Sequence, residues 1–242
     1  MKFFLPICLL LLWPAQSFAG DEYESFNWLT PINVDYMTGI GNIRVLYNKQ
    51  ITTVLNQKAP LDPYEEDGFD TTMVIETKLD SKSNDHYIIR YFEGLSADPV
   101  FTIFKKTKEG LVEMKNLGGT EIIIPGNGNI YTSGHTNSMF NERRKFVLTP
   151  EGIKEVPQPF LYVGIKTEIR KPITIYSTRA LKDAVATLPK GSTIEVLASE
   201  KEKRLYLVRT DFGLLGWYDA SSHKPAGYHK DNPIPGLYFK GD

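Results

Sequence analysis

The chain of 242 residues has one cysteine, Cys8, and it lies inside the first apolar run. Downstream of it no side chain can form a disulfide, act as a thiol nucleophile or bind a metal through sulfur. No Asn-x-Ser/Thr glycosylation acceptor occurs either. Secreted eukaryotic domains of this size are often disulfide-bonded, so the two absences together point to a bacterial periplasmic or extracellular protein. An excess of charge is also missing, since 28 basic residues face 29 acidic ones. A near-neutral surface is not the electrostatic footprint of a nucleic-acid binder. No stretch beyond Trp13 is apolar enough to span a bilayer, and none sustains a helical period. Heptads, low-complexity tracts and convincing repeats are absent as well.

The N-terminus carries an export pattern. Met1-Lys2 is a short positive end, and Phe3 to Trp13 is an apolar run broken only by Pro6. Ser17-Phe18-Ala19 is the small-x-small pattern that signal peptidase accepts. The run is about 11 residues, whereas a spanning helix needs about 20. Residues 1–19 therefore read as a cleaved signal peptide, with the cut before Gly20. Cys8 follows Phe4-Leu5-Pro6-Ile7 and stands too early to be a lipid-attachment cysteine. The expected product is soluble, periplasmic or extracellular, and long enough for one or two domains.

Beyond the signal the pattern is short alternating apolar runs separated by Gly, Pro, Asn and Asp, which is the signature of an all-β protein. Paired runs predict a succession of hairpins. Ile43 to Tyr47 and Ile51 to Leu55 flank Asn48-Lys49, and Thr71 to Leu79 and His86 to Phe92 flank a polar turn cluster. Val100 to Thr107 with Leu111 to Leu117, Glu121 to Ile124 with Asn129 to Thr132, and Lys145 to Thr149 with Ile153 to Val156 complete the series. Ala180 to Ala186 is the nearest approach to a helix, about one turn. Val156-Pro157-Gln158-Pro159-Phe160 is the clearest punctuation, because each proline lacks an N–H for sheet pairing. The expectation is an N-terminal β domain over 20–160, either a β-sandwich or a curled antiparallel sheet. A smaller β unit over 161–242 follows, with its apolar tail (Ile234, Leu237, Tyr238, Phe239) packed onto the body.

In the second unit, Ile173-Thr174-Ile175-Tyr176-Ser177 reads as a first strand and Ala184 to Leu197 as two strands about the turn at Pro189-Lys190-Gly191. Leu205 to Thr210 is the next strand, Asp211-Phe212-Gly213 a turn, and Gly216-Trp217-Tyr218 a closing element. Over residues 172–218 this succession resembles a bacterial SH3-like (SH3b) domain. The resemblance implies a small SH3-like β-barrel and a binding role, often toward cell-wall peptides or other protein segments. The family often carries an Arg-Ser-Gly-Pro-like loop after the first strand; here Ser177 to Asp183 stands instead. That loop borders the surface that family members use for ligands.

The candidate sites are few. Tyr176, Tyr206, Trp217 and Tyr218 are the aromatic set of the SH3-like segment. Trp217 and Tyr218 must face opposite ways on a strand. With Gly216 beside it, Trp217 reads as the core ring, which leaves Tyr176, Tyr206 and Tyr218 as ligand contacts. The four histidines, His86, His135, His223 and His229, lack metal-ligand spacing. His135 lies in a polar loop with Ser133 and Ser138, but no Gly-x-Ser-x-Gly elbow exists. Asp62, Glu65, Glu66, Asp67 and Asp70 crowd one loop without EF-hand spacing. No catalytic residue, metal or cofactor is assigned. The leading expectation is a secreted binding or interaction protein that recognises a cell-envelope component, a peptide or peptidoglycan, with no nucleic-acid partner and no membrane span. The alternative is a cell-envelope hydrolase that carries the SH3-like domain as a targeting module.

Overall fold

The computed structural model describes residues 23–34, 43–58, 71–93, 98–200, 204–223 and 232–240. Residues 1–19, read from sequence as a signal peptide, the acidic segment Asp62 to Asp70 and His229 lie outside the described residues. Among those described there are seventeen strands, one 3-10 turn (Glu24–Phe26) and no α-helix, so the chain is all-β. No helix among them is long and apolar enough to cross a membrane.

Two sheets share the first core. One runs in the order β1 (Thr30–Val34), β2 (Ile43–Tyr47), β8 (Glu121–Ile124), β9 (Asn129–Gly134), β10 (Glu142–Thr149) and β11 (Gly152–Glu155). The other is the meander β3 (Thr52–Lys58), β4 (Thr71–Thr77), β5 (Tyr87–Glu93), β6 (Pro99–Lys106) and β7 (Leu111–Gly118). Ile43, Val45, Tyr47, Ile122, Ile124, Ile130 and Phe146 of the first meet Val74, Ile89, Tyr91, Phe101, Ile103 and Leu117 of the second in one buried cluster. Two faces closing on one core make a sandwich.

Four of the hairpins expected from sequence form: β4–β5, β6–β7, β8–β9 and β10–β11. The fifth does not. β2 pairs with β1 and, in parallel, with β8, whereas β3 pairs with β4 in the other sheet. The Asn48-Lys49 turn is thus a corner between sheets, closed by Gln50 N–H donating to Asn48 Oδ1 at 3.0 Å. The reason lies in β2 itself. Ile43, Val45 and Tyr47 face the sandwich core, while Leu46 faces the other way, against Ile123 and Leu29. A strand buried on both faces belongs at the centre of a sheet, with partners on each side.

The third sheet runs β12 (Phe160–Glu168), β15 (Thr193–Glu200), β16 (Leu205–Thr210), β17 (Leu215–Asp219), β13 (Ile173–Tyr176) and β14 (Ala184–Leu188). The expected barrel is corrected here, since β12 and β14 are the two ends of this order and do not pair with each other. β13 joins β17 through one residue pair, Tyr176 with Trp217. Other parts of the chain fill the interior: Met139 and Phe140 from the sandwich side, Ile234 and Leu237 from the tail, with Phe239 against them. The tail is pinned by Tyr238 N–H to Met139 O (3.1 Å) and Lys240 N–H to Ser138 O (2.9 Å). In the segment read as a helical turn, Leu181 N–H reaches Thr178 O, and from Ala184 the chain is already β14.

Candidate functional site

The three tyrosines part company in the structure. Tyr206 is 1 % exposed and Tyr218 7 %, so both are core rings; Tyr176 and Trp217 are half-buried. The expectation that Trp217 is core and Tyr206 and Tyr218 face a ligand is thereby reversed. Cross-strand partners share a face: Tyr206 opposes Tyr218, and Leu207 opposes Trp217. Gly216 shares the core face with Tyr218, and a Cβ there would lie 2.8 Å from Ile175 Cβ. The glycine makes room for the isoleucine, not for the indole. Burial raises the pKa of both phenols to about 12. Inside the core the Tyr206 hydroxyl lies near Ser199, whose Oγ donates to Glu200 O at 3.3 Å, and His223 Nε2 lies 3.0 Å from the Tyr218 hydroxyl.

The opposite face of the third sheet carries half-buried rings and one exposed one, Tyr162. Phe160 and Tyr162 alternate on β12 with the buried Leu161 and Val163. Across the sheet, the outer face continues through Leu207 and Trp217 to Tyr176, the one tyrosine of the expected three that lies on it. Phe160 and Trp217 rings stand 6.0 Å apart, and the Arg179 guanidinium covers both, at 4.9 and 5.2 Å from their centroids. Glu200, opposite Phe160, holds Arg179 at 3.7 Å. Arg179 comes from the divergent loop between β13 and β14. That loop is tied by Ser177 N–H to Asp183 O (3.0 Å) and has Leu181 and Asp183 at φ of +55° and +56°. Left-handed conformations are uncommon away from glycine, and such strain concentrates where a loop presents a group.

At the end of this face Tyr162 is 50 % exposed. Its ring stacks on Arg143 of β10 at 5.0 Å, and Arg143 stacks on Tyr23 at 5.3 Å. Rings and guanidinium groups thus form a stripe from the N-terminal segment to Trp217, across both sheets that contribute. Arg143, Phe160, Tyr162 and Arg179 were not singled out from sequence. The signals available were the Arg-Arg-Lys run at 143–145, the alternation Phe-x-Tyr on one strand, and the arginine in the Ser177 to Asp183 loop.

Two adjoining cavities of about 310 and 280 Å³ share Asn137, Glu142 and Arg144, and none of Tyr23, Arg143, Phe160, Tyr162, Arg179 or Trp217 lines them. Arg144 Nε donates to Glu142 at 3.0 Å, and Asn137 donates to Asp98. The acids near the cleft are thus engaged: Glu142 by Arg144, and Glu200 by Arg179. His135 and the serines of its loop are not joined as a catalytic pair. The imidazole contacts Tyr238 O at 3.1 Å, Ser138 Oγ donates to Phe140 O, and Ser133 Oγ donates to Asn141. Burial lowers the pKa of His135 and His223. No group of three or more His, Cys, Asp or Glu among the described residues is arranged to hold a metal.

Comparison with protein-family models, with characterised proteins and with solved structures finds no match to this chain. The functional reading therefore rests on the chemistry of the stripe.

Proposed function

We propose that the protein is an exported binding protein that recognises a cell-envelope component on the outer, aromatic face of its third sheet. The observation that carries this reading is the Phe160–Trp217–Arg179 cluster, extended by Tyr162 and Arg143. Half-exposed rings and planar guanidinium groups provide large contact area for a small loss of side-chain entropy, which is why Trp, Tyr and Arg dominate binding hot spots. A monomer gains little by leaving them at the surface. The export pattern at residues 1–19 and the SH3b resemblance over 172–218 support an envelope ligand, a wall peptide or peptidoglycan.

The test is co-sedimentation of the chain from Gly20 onward with purified peptidoglycan and with envelope extracts. Trp217→Leu, Phe160→Leu and Arg179→Gln should each weaken retention about tenfold or more, a loss of about 1.4 kcal/mol or above, while circular dichroism stays unchanged. Retention that none of the three alters, or no retention by any envelope fraction, overturns the proposal.

A further inference from the structure

We infer that the two-lobed cleft beside the β9–β10 loop binds an uncharged, extended peptide segment with an apolar side chain. Its lobes, of about 310 and 280 Å³, meet at Asn137, Glu142 and Arg144. Cavities of this order suit small ligands, held by a few polar groups among apolar walls. Met139, Phe140, Leu161 and Phe239 wall the first lobe. The second is lined by Gly118, Gly119 and Gly134 with Thr132 and Thr136, so bare backbone makes much of its surface.

The register explains why the waist is open. Glu142 opposes Gly134 and Arg144 opposes Thr132 across β9 and β10. Alternate residues of paired strands share one face, and all four of these line the second lobe. A Cβ at Gly134 would meet Gly119 Cα at 2.6 Å, so the position opposite Glu142 holds no side chain. The ion pair itself is one-sided. Glu142 Oε2 accepts from Arg144 Nε at 3.0 Å and from Nη2 as well. Among the described residues nothing hydrogen-bonds Glu142 Oε1 or Arg144 Nη1. One acceptor and one donor therefore stay open at the waist, on side chains 20 % and 42 % exposed.

The ligand follows from this lining. An extended residue carries its own N–H and C=O on one edge. The N–H suits the open carboxylate oxygen and the C=O the open guanidinium nitrogen. Its side chain stands off the backbone and fills the apolar lobe, while the neighbouring backbone lies over the glycines. A charge on the ligand is disfavoured, because each charge in the cleft already has a contact. Glu142 pairs with Arg144 and Glu200 with Arg179, Asp98 accepts from Asn137, and Arg204 donates to His223 O at 3.4 Å. A charged ligand group would break one of these contacts and leave a group unpaired. A sugar would set its rim of hydroxyls against the Met139, Phe140 and Phe239 walls, which cannot bond them. No residue of the aromatic stripe lines the cleft, so this site stands apart from the third-sheet face.

The experiment is an NMR titration of the chain from Gly20 onward, following the amide signals of Gly118, Gly119 and Gly134. The probes are acetyl-Ala-Leu-Ala-amide, the same peptide with Asp or Lys in the central place, and an N-acetylglucosamine hexamer. The leucine peptide should bind and move those signals, and the two charged forms should bind at least about tenfold more weakly. Glu142→Gln and Arg144→Gln should each weaken leucine-peptide binding about tenfold. Their thermal midpoints should stay within about 2 °C of the parent, because an exposed pair contributes little to folding. Trp217→Leu should leave peptide binding unaltered. No binding by the leucine peptide, equal binding of the charged forms, tighter binding of the sugar hexamer, or indifference to either cleft substitution overturns the inference. The envelope-binding proposal is read separately, from the Trp217→Leu retention assay, so either can fail alone.

Discussion

Gly164 is the point at which the stripe depends on backbone conformation. It lies in β12 at φ +68°, where the register against β15 shifts between Tyr162 and Ile165. A Cβ at this position would come within 2.6 Å of the Tyr162 ring, at Cε1 and the hydroxyl. The ring therefore lies back along its own strand over the glycine, with the Arg143 guanidinium as its other neighbour. Gly164→Ala carries two costs. The left-handed conformation costs an L-residue about 1–2 kcal/mol. The ring must also swing away and lose its stack on Arg143, about 0.5–1 kcal/mol at a half-exposed site. Together these give roughly 1.5–3 kcal/mol. For a chain of this size 1 kcal/mol moves the midpoint by about 2–4 °C, so the expected drop is about 3–12 °C. A double-mutant cycle followed by scanning calorimetry separates the parts. In a Tyr162→Ala background the obstruction is gone, and Gly164→Ala should cost only the backbone share. The single variant should also lose retention on envelope material. A midpoint that moves less than about 1 °C refutes the backbone argument, and strictly additive costs refute the placement of the ring.

Three further outcomes follow from the same structure. With Tyr206 and Tyr218 pushed up to about 12 by burial, an ultraviolet alkaline titration should show a late phase of two phenols. Tyr206→Ala should cost about 3–5 kcal/mol as a large core truncation. Burial depresses His223 and His135 below 6.5, so the unfolded chain takes up protons first as pH falls through that value. Their stabilisation is thus complete above about pH 6.5 and lost as pH drops toward the folded pKa values; urea midpoints at pH 7.5 and 5.5 should fall in that order, and an equal or higher midpoint at 5.5 refutes it. Gly216→Ala should destabilise by about 1–3 kcal/mol through overpacking against Ile175, and a neutral thermal scan refutes the assigned core face of β17.

The hairpins that were legible in sequence share one property: a short polar turn between two strands that each have one apolar face. Thr71 to Leu79 with His86 to Phe92, and Val100 to Thr107 with Leu111 to Leu117, are of this kind. β2 is not, because Leu46 is buried on the face opposite Ile43, Val45 and Tyr47. A strand with two apolar faces has no preferred side, and turn spacing alone then suggests the wrong partner. The barrel expectation failed for a related reason. Spacing shows which strands follow one another, but not that Met139, Phe140, Ile234 and Leu237 arrive from elsewhere to fill the interior. Side chains already in that space leave no need for β14 to close on β12.

The error over the tyrosines shows why ligand faces are hard to read on such a sheet. In Leu-Tyr-Leu-Val-Arg-Thr on β16, both parities carry apolar residues, and a shift of one residue turns every side chain to the other face. An inward phase for Leu205 and Leu207 would leave Tyr206 outside; the core takes Tyr206 and Val208 instead. What fixes the phase is polar and remote: His223 Nε2 meets the Tyr218 hydroxyl at 3.0 Å, and Ser199 lies near that of Tyr206. Buried phenols need such partners, and the histidine after β17 supplies one to Tyr218. With the phenols turned inward, Trp217 and Leu207 are left on the outside. There the register of β12 brings Phe160 and Tyr162, the β13–β14 loop brings Arg179, and β10 brings Arg143. The core partners and the outer stripe are thus two consequences of one strand phase. A variant that removes His223 from Tyr218, such as His223→Leu, should therefore weaken envelope retention as well as stability, whereas Trp217→Leu should weaken retention alone. Paired sedimentation and melting measurements decide between that coupling and two independent faces.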